Sequence, residues 1–119
     1  MPPRILVVED DPDLLFLYNT VLAQQGFEVI GAENASHAMM ELDNGVFDLI
    51  MADLNMPDAH GTAVIDHLRK DTRHDHTAVI VVTANDHWLG EVTDRGVEHI
   101  LVKPVSMKQV VELVRQLTN

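Results

Sequence analysis

Five polar side chains stand where short apolar runs end. Glu9 and Asp10 follow the run at 5–8, Asp53 follows 49–52, Thr83 follows 78–82 and Lys103 follows 100–102. Three carboxylates brought within a few ångströms of one another repel, and they take up protons unless a cation compensates them. An oxygen-only donor set with room for water suits a hard dication, Mg²⁺ or the similar Mn²⁺. Adding a hydroxyl and an ammonium completes the parts for phosphoryl transfer onto a carboxylate. Asp53 would be the nucleophile, the metal and Lys103 would face the equatorial oxygens, and Thr83 would donate a hydrogen bond.

Such chemistry needs elements that bring the five positions together. The apolar runs before them have the length and Val/Ile/Leu content of strands buried on both faces, and Pro57 prevents the strand before Asp53 from continuing. Asp11 is the expected N-cap of a first helix, with Pro12 in its first turn. Leu14, Leu17, Tyr18, Val21 and Leu22 supply its apolar stripe, and Gly26 its stop. A short strand is expected at 27–30. A second helix is expected from Ala35, Ala38, Met39 and Leu42, with Met39 and Met40 packing, and a third from Val64, Ile65 and Leu68. The polar stretch 70–77 reads as a solvated loop. The segment 86–94 is the weakest helix, because Gly90 inside it costs about 1 kcal/mol relative to alanine. Ser106 and Gln109 form a capping-box pattern ahead of Met107, Val110, Val111, Val114 and Leu117.

Five strands alternating with five helices predict one α/β domain over residues 1–119, a parallel sheet with helices on both faces. The flavodoxin-like order 2-1-3-4-5 puts its switch point between strands 1 and 3, and ligands bind outside the carboxyl ends of strands there. Strand 1 ends in Glu9 and Asp10, strand 3 in Asp53. All three carboxylates therefore converge on that crevice.

Composition narrows the classes. The chain has 119 residues and a formal charge of −11, which repels nucleic-acid phosphates and anionic lipid, so neither is an expected direct partner. Cysteine is absent, which excludes disulfides and thiolate metal sites. The N-terminus lacks a signal-peptide pattern, and no apolar run approaches the roughly 20 residues that span a bilayer. A soluble, cytoplasmic protein is expected.

The segments ILVVEDD (5–11), DLNMPDAHG (53–61), VVTA (81–84) and VKP (102–104) occur in this order, each at a strand end. Together they resemble the CheY-like response-regulator receiver domain of two-component phosphorelay signalling, over nearly the whole chain. The resemblance implies that Asp53 is the phospho-acceptor, that Glu9 and Asp10 are metal-site acids, and that Asn55 offers its backbone carbonyl to Mg²⁺. It assigns Thr83 and Lys103 their hydroxyl and ammonium roles, implies a cis Lys103–Pro104 bond, and makes Asn55 and Asn85 positions that tune phosphoryl lifetime. The implied partners are a histidine kinase or histidine phosphotransfer protein as donor, and a downstream protein target or output domain. No output domain is expected within this chain, and no separate substrate is turned over.

Some residues depart from the pattern. Ile100 stands where the family often has an aromatic residue, and Val105 where phenylalanine is common. Phosphorylation is expected to shift an equilibrium around the fourth helix. The alternative function is a receiver-fold protein-binding module that works without phosphate. A haloacid-dehalogenase-like phosphatase would want an acid where Asn55 stands, and a flavodoxin would want a phosphate-binding loop after strand 1. His74 and His76 can be read as metal ligands, but a solvated loop is the expectation. Trp88 reads equally as a partner contact or a packed residue, and a homodimer through the fourth- and fifth-helix face is compatible with the fold.

Overall fold

The structure, a computed structural model, describes residues 2–84 and 89–119. Five strands, β1 (Arg4–Val8), β2 (Glu28–Ala32), β3 (Leu49–Asp53), β4 (Ala78–Thr83) and β5 (His99–Val102), form one parallel sheet in the order β2-β1-β3-β4-β5. Between and after them come α1 (Pro12–Gln24), α2 (Ala35–Asn44), α3 (Ala63–Arg69), α4 (Leu89–Asp94) and α5 (Met107–Thr118). Asp86, His87 and Trp88, assigned by the sequence to the fourth helix or its start, lie outside the described residues, as does Asn85.

Strand alternation divides the core into two layers. Leu6, Val8, Ile50, Ala52, Val79 and Val81 point to the side covered by α2, α3 and α4. Ile5, Val7, Leu49, Met51, Ile80 and Val82 point to the side covered by α1 and α5. The central strand β3 is buried at all five positions, which is why its sequence reads as a continuous apolar run rather than an alternating one. β5 lies at an edge, and Val102 at its end is 49% exposed.

The helix boundaries follow from local chemistry. Asp11 caps α1 by accepting from the backbone N–H groups of Asp13 and Leu14, and Gly26 beyond its end has φ +95°, a conformation glycine adopts without strain. The capping box of Ser106 and Gln109 opens α5. A cap not evident in the sequence opens α2, where Asp58 of the β3–α3 loop accepts from the N–H groups of Ala35 and Ser36. These bonds hold the Asp58 carboxyl below its ordinary pKa.

Three expectations are corrected. Leu17 is exposed and Leu15 takes its place in the core, because the buried line of α1 runs through Leu15, Tyr18 and Leu22 at i, i+3 and i+7. Met40 is also exposed, with only Met39 packed against the α2 side of the core. The stretch 70–77 is no solvated loop throughout. Its Thr72–His74 segment is a 3-10 turn that buries His74 to 1% exposure, with Nε2 2.9 Å from the carbonyl oxygen of Leu42 at the end of α2.

Replacing Ile50, 1% exposed on the central strand, by alanine should cost about 2–5 kcal/mol. Urea denaturation followed by circular dichroism measures it, and a cost below about 1 kcal/mol would contradict the packing described.

Candidate functional site

The site forms where β1, β3 and β5 end. β1 and β3 are neighbours in the sheet, with Val8 opposite Ala52, so Glu9, which follows β1, and Asp53, the last residue of β3, stand side by side. Glu9 continues the pairing with β2, its N–H donating to the carbonyl of Ala32 at 3.0 Å. The alternation of each strand then sets direction. Glu9 follows Val7 by two positions, Asp53 follows Met51 and Lys103 follows Leu101, and all three preceding residues face α1 and α5. The charged residues thus crown one layer of the core.

Lys103 reaches both acids. Its Nζ donates to Asp53 Oδ2 at 2.7 Å and to Glu9 Oε1 at 3.0 Å. The remaining oxygens are also engaged: Glu9 Oε2 accepts from the Asp11 N–H at 3.3 Å, and Asp53 Oδ1 from the Asn55 N–H at 2.9 Å. Glu9 and Asp53 are 2% and 6% exposed. The Lys103–Pro104 peptide is cis.

Ligand oxygens of Glu9, Asp10 and Asp53 all lie within 4.8 Å of one another, with Asp10 exposed at the edge. This is the sole group of three or more such ligands among the described residues, so His74 and His76 belong to none. Against one ammonium, the three acids carry an excess of two negative charges when ionised. That excess, the oxygen-only donors and the open side at Asp10 fit a hydrated hard dication. Glu9 shows the electrostatic cost of the arrangement. Burial is the main cause that pushes its carboxyl up to about 7, and the Asp53 charge adds to the rise, while the bond from Lys103 opposes it. Burial alone would lower the Lys103 ammonium, but its bonds to Asp53 and Glu9 outweigh this and raise it.

Thr83 is fully buried at the end of β4, one position beyond Val82, the partner of Asp53 in register. Its carbonyl accepts from the Lys103 N–H at 2.9 Å, so the backbones of the hydroxyl and ammonium residues are tied together. Asn55 is exposed in the loop after β3. Sequence patterns did not single out Tyr18 as a neighbour of this site. It lines a cavity together with Lys103.

Residues 5–115 match the family described as the response regulator receiver domain. The chain is 32% identical to the phosphate regulon transcriptional regulatory protein PhoB of Escherichia coli over 97% of its own length and 51% of that protein. It is 27% identical to the sensor protein GacS of Pseudomonas syringae, over 98% of the chain and 14% of that protein. The chain therefore spans about half or less of these relatives. Among solved structures, the response regulator TrrA from Thermotoga maritima, in complex with Mg²⁺-BeF, superposes with a TM-score of 0.85 at 30% identity, covering 98% of this chain and 99% of that one. The chemotaxis response regulator CheY4 of Vibrio cholerae superposes at 0.91 with 22% identity over the same shares, a likeness of fold.

The raised Glu9 carboxyl makes stability depend on pH in a stated direction. A folded-state pKa of about 7 against an ordinary 4.5 means that folding retains a proton the unfolded chain releases. Stability from this group is fully present below pH 4.5 and is lost as pH rises through about 7. In metal-free buffer, Glu9→Gln should flatten that part of the stability profile. Denaturant midpoints between pH 4.5 and 8 check this, and an unchanged slope would contradict the burial of Glu9.

Proposed function

Because the chain belongs to the response-regulator receiver family of two-component signalling, whose members are phosphoryl-accepting switches, we propose that Asp53 accepts a phosphoryl group here in an Mg²⁺-dependent reaction. The observation that carries this is Lys103 bridging Asp53 and Glu9 at the sheet's switch point, beside a cluster of oxygen ligands. Glu9, Asp10, Asp53 and the backbone carbonyl of Asn55 would hold the ion. When bound, the ion supplies positive charge to the phosphoryl oxygens.

The rest is done by the chain's own groups. Asn55 and Lys103 each hold one oxygen of Asp53, so the nucleophile is fixed in orientation before a donor arrives. A carboxylate oxygen attacks phosphorus as the bond to the donor breaks. Lys103 is placed to pair with a phosphoryl oxygen, and the Thr83 hydroxyl is assigned to donate to another. The donor would be a histidine kinase or histidine phosphotransfer protein, and the recipient of the signal a protein target or output domain. Residues 1–119 would act as a single receiver unit. No helix among the described residues is long and apolar enough to cross a membrane.

The output would run through α4. Of its six residues only Val92 is buried, so few apolar contacts hold it. Polar ties supplement them: Arg95 Nε donates to Asp66 Oδ1 of α3 at 2.6 Å, and Glu91 lies 3.8 Å from His60 of the loop that follows Asp53. A change at Asp53 thus has a short path to this helix. Ile100, half-buried against the same core layer, would repack where other members swing an aromatic ring.

Incubation with acetyl phosphate and Mg²⁺ should add one phosphoryl group by mass spectrometry. Asp53→Ala or removal of the metal with EDTA should abolish the addition. A wild-type protein that stays unmodified would overturn the proposal and leave a phosphate-independent binding module. Beryllofluoride with Mg²⁺ should alter amide hydrogen exchange over residues 89–100, and unchanged protection there would exclude α4 as the responsive element.

A further inference from the structure

We propose that Tyr18 is a positioning residue for the reaction at Asp53, its ring forming the wall that keeps the Lys103 side chain across Glu9 and Asp53. This presupposes the phosphoryl-accepting role of Asp53 and adds a residue that the family pattern does not assign. Tyr18 lies in the second turn of α1 and is 2% exposed. It belongs to the apolar layer of Val7, Met51 and Val82. Val7 and Met51 stand two positions before Glu9 and Asp53 on the same face. Tyr18 is therefore part of the same apolar layer that the charged cluster crowns.

Tyr18 and Lys103 also share a cavity of about 430 Å³, lined besides by Leu14, Pro104 and Val105. The lysine stem has rotamer freedom to lose, and such stems settle along apolar surface with the ammonium directed to polar groups. Here the side chain is 25% exposed while its head spans two buried carboxylates. One side of its path is open cavity, and Tyr18 is one of the residues that bound that space. The tyrosine hydroxyl feels the same cluster. Burial raises its pKa most, and the charges acting on it are those of Lys103, Glu9 and Asp53.

A double-mutant cycle separates positioning from general packing. With saturating Mg²⁺ and acetyl phosphate, Tyr18→Leu should slow phosphorylation of Asp53 by about ten- to a hundredfold, the upper figure being the scale at which a reacting group is displaced by about 1 Å. Tyr18→Phe, which keeps the ring, should restore the rate. In a Lys103→Met background, Tyr18→Leu should have no further effect. An equal loss in both backgrounds, or no loss in a folded Tyr18→Leu protein, would overturn the proposal. Should Tyr18→Leu fail to fold, Tyr18→Met takes its place in the cycle. The same four proteins unfolded in urea without metal give a second reading that needs no phosphorylation: non-additive stabilities are expected, and additive ones overturn the proposal. A wild type that takes up no phosphoryl, with non-additive stabilities, would refute the role of Asp53 while leaving the Tyr18–Lys103 coupling intact.

Discussion

A lysine ammonium shared by two buried carboxylates governs this molecule. Burying Glu9 and Asp53 side by side is costly, and the cost is bearable only because Lys103 donates to both, at 3.0 and 2.7 Å, while backbone N–H groups engage the other oxygens. Removing charge from water rarely adds stability on balance even when it is paired. The raised Glu9 carboxyl records an incomplete compensation. Such a cluster adds little to stability, and its place at the end of an otherwise apolar core fits the chemistry proposed for Asp53.

The fold serves that cluster in two ways. The parallel sheet gathers the carboxyl ends of its strands on one edge, and the 2-1-3-4-5 order makes β1 and β3 neighbours whose helices leave on opposite sides. The acids are therefore reachable without any strand having to part. Alternation then aims Glu9, Asp53 and Lys103 at the α1 and α5 side, above Val7, Met51 and Leu101. The opposite side, under α2, α3 and α4, carries the thinly packed helix to which the response is assigned in the proposal. The proposed chemistry and the proposed response thus fall on different faces of the same sheet end.

Local chemistry was largely legible in the chain. The all-buried β3 announced itself by an unbroken apolar run, Asp11 and Ser106 by their capping sequences, and Gly26 by its place after α1. The misjudged residues share a cause. Leu17 and Leu15 are the same residue type two positions apart, and only the angle at which α1 settles on the sheet decides which is buried. His74 sits in a polar stretch whose composition predicts solvent, but the end of α2 passes over it and offers the Leu42 carbonyl. Asp58 caps a helix 22 and 23 residues away, a spacing no local pattern encodes.

By itself, then, the sequence determined which residues could carry charge at strand ends, what order of elements would follow, and which family that order resembles. Periodicity and capping act over a few residues, so the chain states them directly. Tertiary structure alone decided that Lys103 contacts Glu9 and Asp53 at once, that Asp10 stays at the exposed edge, and that Tyr18 and Lys103 line one cavity. Those facts depend on contacts between residues 50 and 94 positions apart, and on sub-ångström packing that composition does not contain.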